Sequence, residues 1–183
     1  MLVTLVGMNK DKIEIINVEI KATVENIDEK EQLLHKLSPD FQGIDLQEDI
    51  YFNVAEGRLK LRRGNIENAL IHYIRSDTSS SKRSDILLYK HSPDENILAI
   101  LTKVLGVKVV VKKSRKIYFI DNVKFHFDQV EGLGSYVEVE AIDIDRKRSE
   151  KELREQCDYY TDYLGINKAD LISTSYSDML IKS

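Results

Sequence analysis

The segment Tyr136-Val137-Glu138-Val139-Glu140-Ala141 sets two carboxylates two residues apart. Alternate side chains of a strand share a face, so Glu138 and Glu140 project together while Val137, Val139 and Ala141 take the other side. Like charges at this spacing repel unless water, a cation or a basic partner stands between them. Such oxygen-rich pairs suit Mg2+ or Mn2+, which take one or two carboxylates together with phosphate oxygens. Asn17-Val18-Glu19-Ile20-Lys21 repeats the pattern, with Asn17, Glu19 and Lys21 on one face at about 7 Å intervals. A third set is basic. Lys60 and Arg62 share a face of 58–63, Arg75 closes 69–75, and Lys113 and Arg115 share a face of 107–120. Each group alone is also what a solvated strand face shows. Together, cations on three strands and carboxylates on two others can line one cavity for a polyanion. Arginine would supply planar forks for phosphate and lysine point charges.

Weaker candidates complete the inventory. His126 and Asp128 share a strand face, but the four histidines show neither zinc-ligand spacing nor a nucleophilic triad. Gly132-Leu133-Gly134 lacks the spacing of a nucleotide-binding loop and reads as a tight turn. Cys157 sits among apolar neighbours on a helical pattern, where packing is its expected role.

The elements that must position these groups follow from periodicity. Alternation predicts strands at Ile13–Val24, Leu46–Asn53, Arg58–Arg63, Ala69–Arg75, Ile86–His91, and three more between Val107 and Ile144 that turn at Asp121-Asn122 and Gly132–Ser135. Asp28, with Glu31 in the capping-box position, predicts the start of a helix that Ser38-Pro39 and Gly43 end. A second helix is expected over Pro93–Leu105, with Gly106 past its end. A third runs from Ser149, paired with Glu152, to about Leu164, and a short helical tail follows. The polar, serine-rich 77–84 reads as a loop within one domain spanning 1–183. About eight short strands with interspersed helices indicate an antiparallel sheet or barrel in an α+β protein. Periodicity leaves open which face of the strands is inside. A charged interior would require the helices to cover an apolar exterior.

Composition sets the outer bounds. A net charge of −4 lacks the basic footprint of nucleic-acid binding. A single cysteine excludes an internal disulfide, and no apolar run is long enough for a membrane span, so a cytoplasmic protein is expected. An exposed sheet edge or helix leaves room for a homodimer without requiring one.

Taken in order, these segments resemble the CYTH superfamily, the triphosphate tunnel metalloenzymes, and in particular its class IV adenylyl cyclase-like branch. Glu19-Ile20-Lys21 is similar to the family's Glu-x-Glu-x-Lys strand, and Leu61-Arg62 to its Leu-Arg strand. Arg75 falls where the next strand carries a base, and Lys113-Ser114-Arg115 resembles its Lys-x-Arg strand. Asp128, followed by Gly132 through Glu140, resembles the family's ending. The resemblance implies a tunnel formed by an eight-stranded antiparallel β-barrel flanked by helices, in which Lys21, Arg62, Arg75, Lys113 and Arg115 bind phosphate. Lys60, on the same strand face as Arg62, is a further phosphate-binding candidate. The resemblance also implies that Glu19, Glu138 and Glu140 hold Mg2+ or Mn2+ and that Asp128 supports catalysis or a metal-bound water, with Lys21, Glu138 and Glu140 as its catalytic partners. Asn17 stands where the family has its first glutamate, which puts a second metal site in doubt. The expected activity is metal-dependent hydrolysis of a triphosphate such as tripolyphosphate, thiamine triphosphate or ATP. The alternatives are cyclisation of ATP to cyclic AMP and pyrophosphate, or polyphosphate or nucleotide binding without catalysis.

Overall fold

Strands with a charged inner face and an apolar outer face need helices on the outside, and the computed structural model of the chain has this arrangement. It describes residues 16–75, 84–92, 94–143 and 147–182. In chain order come β1 (Ile16–Thr23), α1 (Ile27–His35), β2 (Asp40–Phe52), β3 (Arg58–Arg63), β4 (Ala69–Arg75) and β5 (Ser84–Lys90). Then follow α2 (Glu95–Leu105), β6 (Val107–Ile120), β7 (Val123–Val130), β8 (Gly134–Asp143), α3 (Glu150–Tyr163) and α4 (Tyr176–Lys182). The strands form one antiparallel sheet in the order β1-β8-β7-β6-β2-β3-β4-β5. The eight-stranded α+β architecture is the one expected. The sheet curls into a half-barrel, and among the described residues its two ends, β1 and β5, are not hydrogen-bonded to each other.

The outer face carries two of the three apolar clusters. Val18, Ala22, Phe125, Phe127, Val137 and Val139 pack under Leu34 of α1 and Leu153, Cys157 and Leu164 at α3. Each fully buried side chain of this size contributes about 1.5–3 kcal/mol. Cys157 is part of this packing, and burial pushes its thiol up to about 12. Ile50, Phe52 and Leu61 pack under Ile97, Leu98, Leu101 and Leu105 of α2. The third cluster lies on the inner face, where Tyr51, Val111, Val130 and Tyr136 meet Tyr176, Met179 and Leu180 of α4. The chain reaches α4 along β1, through an Ile172 N–H donating to the Lys21 carbonyl at 2.8 Å and a bridge between Ala22 and Leu171.

Several boundaries differ from expectation for local reasons. Asn26, not Asp28, caps α1, accepting from the Glu29 N–H at 3.1 Å. Glu31 makes no capping box; it turns inward to Lys116 at 2.6 Å and the Tyr118 hydroxyl at 2.5 Å. β2 begins at Asp40, not Leu46, because Gly43 forms a bulge within the strand instead of ending a helix. Its φ of 128° suits glycine, and a Cβ there would stand 2.9 Å from Ile66. α2 begins at Glu95 under an Asp94 cap, two residues later than Pro93. The Ser149–Glu152 capping box forms as expected. The expected strand ends at 13–15 and 144 and the serine-rich loop through 83 lie outside the described residues.

Candidate functional site

Antiparallel register converts alternation along each strand into rows across the sheet. Lys21 lies opposite Glu138 and Glu19 opposite Glu140 between β1 and β8. His126 faces Glu138 and Lys124 faces Glu140 between β8 and β7, and Arg115 faces Asp128 between β6 and β7. Asp49 faces Arg62, and Tyr51 faces Lys60, between β2 and β3. The curl turns these rows toward one cavity of about 500 Å³. Lys21, Lys60, Arg62, Lys113, Arg115, Glu19, Glu138 and Glu140, all singled out in the sequence, line it. Arg75 closes β4, and its side chain lies outside the described residues.

Three buried networks set the electrostatics. The first centres on Asp49, which is 1% exposed. Its carboxylate accepts from Lys60 at 2.9 Å, from Arg62 at 2.8 and 3.0 Å, and from Lys113 at 2.9 Å. Burial alone would raise the Asp49 carboxyl, but Arg62, Lys113 and Lys60 hold it well below the usual carboxylate range. Burial pulls the Lys113 ammonium down to about 7; Asp49 opposes the fall, while Arg115, Arg62 and Lys60 deepen it.

The second network surrounds Arg115. Its guanidinium donates to Asp128 at 2.7 and 2.5 Å and to Glu138 at 2.7 Å. Asp128 also accepts from the Tyr176 hydroxyl at 2.9 Å. Glu138 pairs with Lys21 at 3.1 Å, and the Lys21 ammonium sits 4.0 Å from the centre of the Tyr176 ring. Burial works to raise the Glu138 carboxyl, and Arg115 and Lys21 outweigh it. Asp128, expected to support catalysis or a metal-bound water, is fully buried behind Arg115 and is absent from the cavity wall. It fixes the direction of the guanidinium. In the third network Glu67, from the β3–β4 connection, accepts from Arg62 at 2.8 Å and Lys124 at 2.5 Å.

At the β1–β8 side, Glu19 and Glu140 face one another across adjacent strands. Enclosure raises the Glu140 carboxyl; Lys124 works against the rise, and the Glu19 charge adds to it. Asn17 donates from its amide nitrogen to Glu140 at 2.7 Å, while its amide oxygen, buried, has no hydrogen-bond partner. Two carboxylates and an unsatisfied amide oxygen are the donors that a hard divalent cation takes alongside water and phosphate oxygens. The expected trio with Glu138 does not assemble, since Glu138 is engaged by Lys21, Arg115 and His126. Among the described residues no three Asp, Glu, His or Cys side chains gather as a metal set.

The CYTH domain family matches residues 16–176, which take in all eight strands and the first residue of α4. The chain belongs to the CYTH domain family. A protein of Methanocaldococcus jannaschii named a putative adenylate cyclase is 30% identical over 174 residues, covering 90% of this chain and 98% of the relative. Among solved structures, a Pyrococcus horikoshii protein superposes with a TM-score of 0.77 at 25% identity, over 88% of this chain and 98% of that one. A Hippeastrum protein described as a putative adenylyl cyclase that reveals a dominant triphosphatase activity shares the fold at a TM-score of 0.61 and 15% identity, covering 90% and 94%.

Within this CYTH sheet, sequence reasoning missed Asp49, Glu67, Lys124 and Tyr176 and gave His126 little weight. Lys124 was open to detection, because it continues the face of His126 and Asp128 at the same spacing of two. Asp49 is one of three acids within five residues, Glu67 lies in a turn, and Tyr176 arrives from a helix far along the chain. No helix among the described residues is long and apolar enough to cross a membrane.

Proposed function

We propose that this CYTH protein is a divalent-metal-dependent enzyme that hydrolyses a triphosphate. One observation carries the reading. Lys21, Lys60, Arg62, Lys113, Arg115 and Lys124, drawn from four strands, converge on a single cavity that also holds the facing carboxylates Glu19 and Glu140. Charge-assisted hydrogen bonds contribute about 1.5–3 kcal/mol each, so four or five hold a polyphosphate even after desolvation. Lys60, Arg62 and Lys113, gathered by Asp49, take the phosphate oxygens on one side. Lys21 and Arg115, both steadied by Glu138, take them on the other. Asp128 keeps the Arg115 fork in one orientation. Mg2+ or Mn2+ held by Glu19, Glu140 and the Asn17 amide oxygen would neutralise phosphoryl charge and activate a water. The surrounding cations stabilise the charge that builds in the transition state.

A second reading, cyclisation of ATP, has support of its own. The 30% identical relative carries a cyclase name. The wall formed by β4 and β5 presents Ala69, Ile71, Tyr73 and Leu88 to the cavity, a surface of the kind that takes a nucleobase. The fold does not choose, since proteins described by either activity share it. Incubating the protein with tripolyphosphate, thiamine triphosphate or ATP, each with Mg2+ or Mn2+, decides by product. Release of orthophosphate supports hydrolysis, and cyclic AMP with pyrophosphate supports cyclisation. Tight binding with no turnover of any substrate makes the chain a non-catalytic polyphosphate module and overturns both.

A further inference from the structure

His126 lines the cavity and carries a buried polar atom with no hydrogen-bond partner among the described residues. The ring stands on β7, 3% exposed, directly across from Glu138 on β8. Its Nδ1 lies 3.1 Å from a Glu138 oxygen. Arg115 and Lys21 keep the Glu138 carboxyl ionised, so that carboxylate only accepts, and the ring proton is on Nδ1. Nε2 therefore carries a bare lone pair, and it is buried without a hydrogen-bond partner. The other charged groups around the ring are directed elsewhere. Arg115 donates to Asp128 and Glu138, Lys124 donates to Glu67, and Glu67 is itself an acceptor.

A buried lone pair beside an anion-binding cavity needs a donor, and a phosphate chain in its ionised form has none to give. A cation is one kind of partner, but the hard divalent ions that accompany phosphate prefer oxygen donors, which Glu19, Glu140 and the Asn17 amide offer at the β1–β8 side. The remaining partner is an O–H. We propose that His126 accepts the hydrogen bond of the attacking hydroxyl, a water in hydrolysis or a substrate hydroxyl in cyclisation, and aims its oxygen at phosphorus. Glu138 fixes the tautomer that makes this acceptor available. The inference rests on the triphosphate-processing reading above and assigns the nucleophile's place within that cavity.

Two substitutions separate this role from a structural one. His126→Asn keeps an N–H where Nδ1 donates to Glu138 and deletes the Nε2 lone pair. His126→Gln reaches the Nε2 position with an amide oxygen and gives up the Glu138 contact. Calorimetric affinity for tripolyphosphate should stay within about threefold of wild type in both, because neither removes a phosphate-binding cation. In His126→Asn, kcat should fall about 100-fold with KM little changed, and His126→Gln should recover about tenfold of that loss. Nitrogen NMR of the free protein should show a protonated Nδ1 and a bare Nε2. Wild-type kcat in a folded His126→Asn protein, equal kcat losses in both variants that follow their Tm, or a protonated Nε2 overturns the assignment and leaves the function standing. A wild-type protein that binds tripolyphosphate yet turns over no substrate overturns the catalytic reading itself, and this assignment with it.

Discussion

Asp49→Asn tests most directly whether the three cations it holds are meant for phosphate. The change keeps the side chain's shape and removes one buried charge that receives four hydrogen bonds from Lys60, Arg62 and Lys113. Breaking a buried ion pair from one side costs about 3–5 kcal/mol, because the partners stay behind unneutralised. For a domain of this size 1 kcal/mol moves Tm by about 2–4 °C, so the ligand-free variant should melt about 6–20 °C below wild type. Tripolyphosphate should then reverse the order of response. In wild type it shares its cations with Asp49, whereas in Asp49→Asn it meets them unshared and supplies the missing negative charge. Scanning fluorimetry across a tripolyphosphate series should show a larger Tm gain in the variant at every concentration. The double substitution Asp49→Asn with Lys113→Met, which removes the ammonium most depressed by its surroundings, should recover part of the ligand-free loss. An unchanged ligand-free Tm refutes the energetic argument, and an equal or smaller tripolyphosphate response refutes the placement of phosphate among these cations.

The other predictions address the remaining networks. Glu140→Gln relieves the opposition of two carboxylates, so the divalent-ion Tm gain should shrink and Mn2+ binding, followed by electron paramagnetic resonance, should weaken at least tenfold, about 1.4 kcal/mol. Because the Glu140 carboxyl is raised in the fold, it contributes stability that is present at low pH and lost as pH rises through its folded value. That slope should be missing from the Tm–pH curve of the glutamine variant. Lys113, lowered to about 7, holds its proton below that pH and sheds it above. Triphosphate affinity should therefore fall as pH rises past 7, by up to about tenfold per unit, and Lys113→Met should flatten that component in calorimetry. Arg115→Ala should lose triphosphate affinity and also about 3–5 kcal/mol of stability in denaturant titration, since Asp128 is left buried without its cation. Asn17→Glu should lower ligand-free Tm by adding a charge beside Glu140 and tighten Mn2+ binding, both readable in one fluorimetry series.

The sequence was informative wherever a charge pattern followed strand alternation. Glu19 and Lys21, Lys60 and Arg62, Lys113 and Arg115, and Glu138 and Glu140 each share a face, and each face lines the cavity. Alternation alone did not say that this face is the inner one. The answer came from the helices, because the apolar faces of β1, β7 and β8 are buried under α1 and α3. Partnerships across the sheet were not legible, since they depend on register and on the Gly43 bulge that shifts β2 against β6. Asp128 shows what register adds: its place on the strand face follows from alternation, while its pairing with Arg115 and Tyr176 does not. Asp49 shows the converse, an acid with nothing local to distinguish it that becomes the shared partner of three cations once β2 lies between β3 and β6.

The seating of α4 on the inner face ties the cavity to the last helix of the chain. Tyr176, Met179 and Leu180 pack against Tyr51, Val111, Val130 and Tyr136, and an Arg58–Asp178 pair at 2.7 Å latches the helix to β3. Tyr176 is at once part of that packing, a hydrogen-bond donor to Asp128 and a wall of the cavity. Any loosening of the helix would therefore withdraw a piece of the wall and a brace of the Arg115 network in one movement.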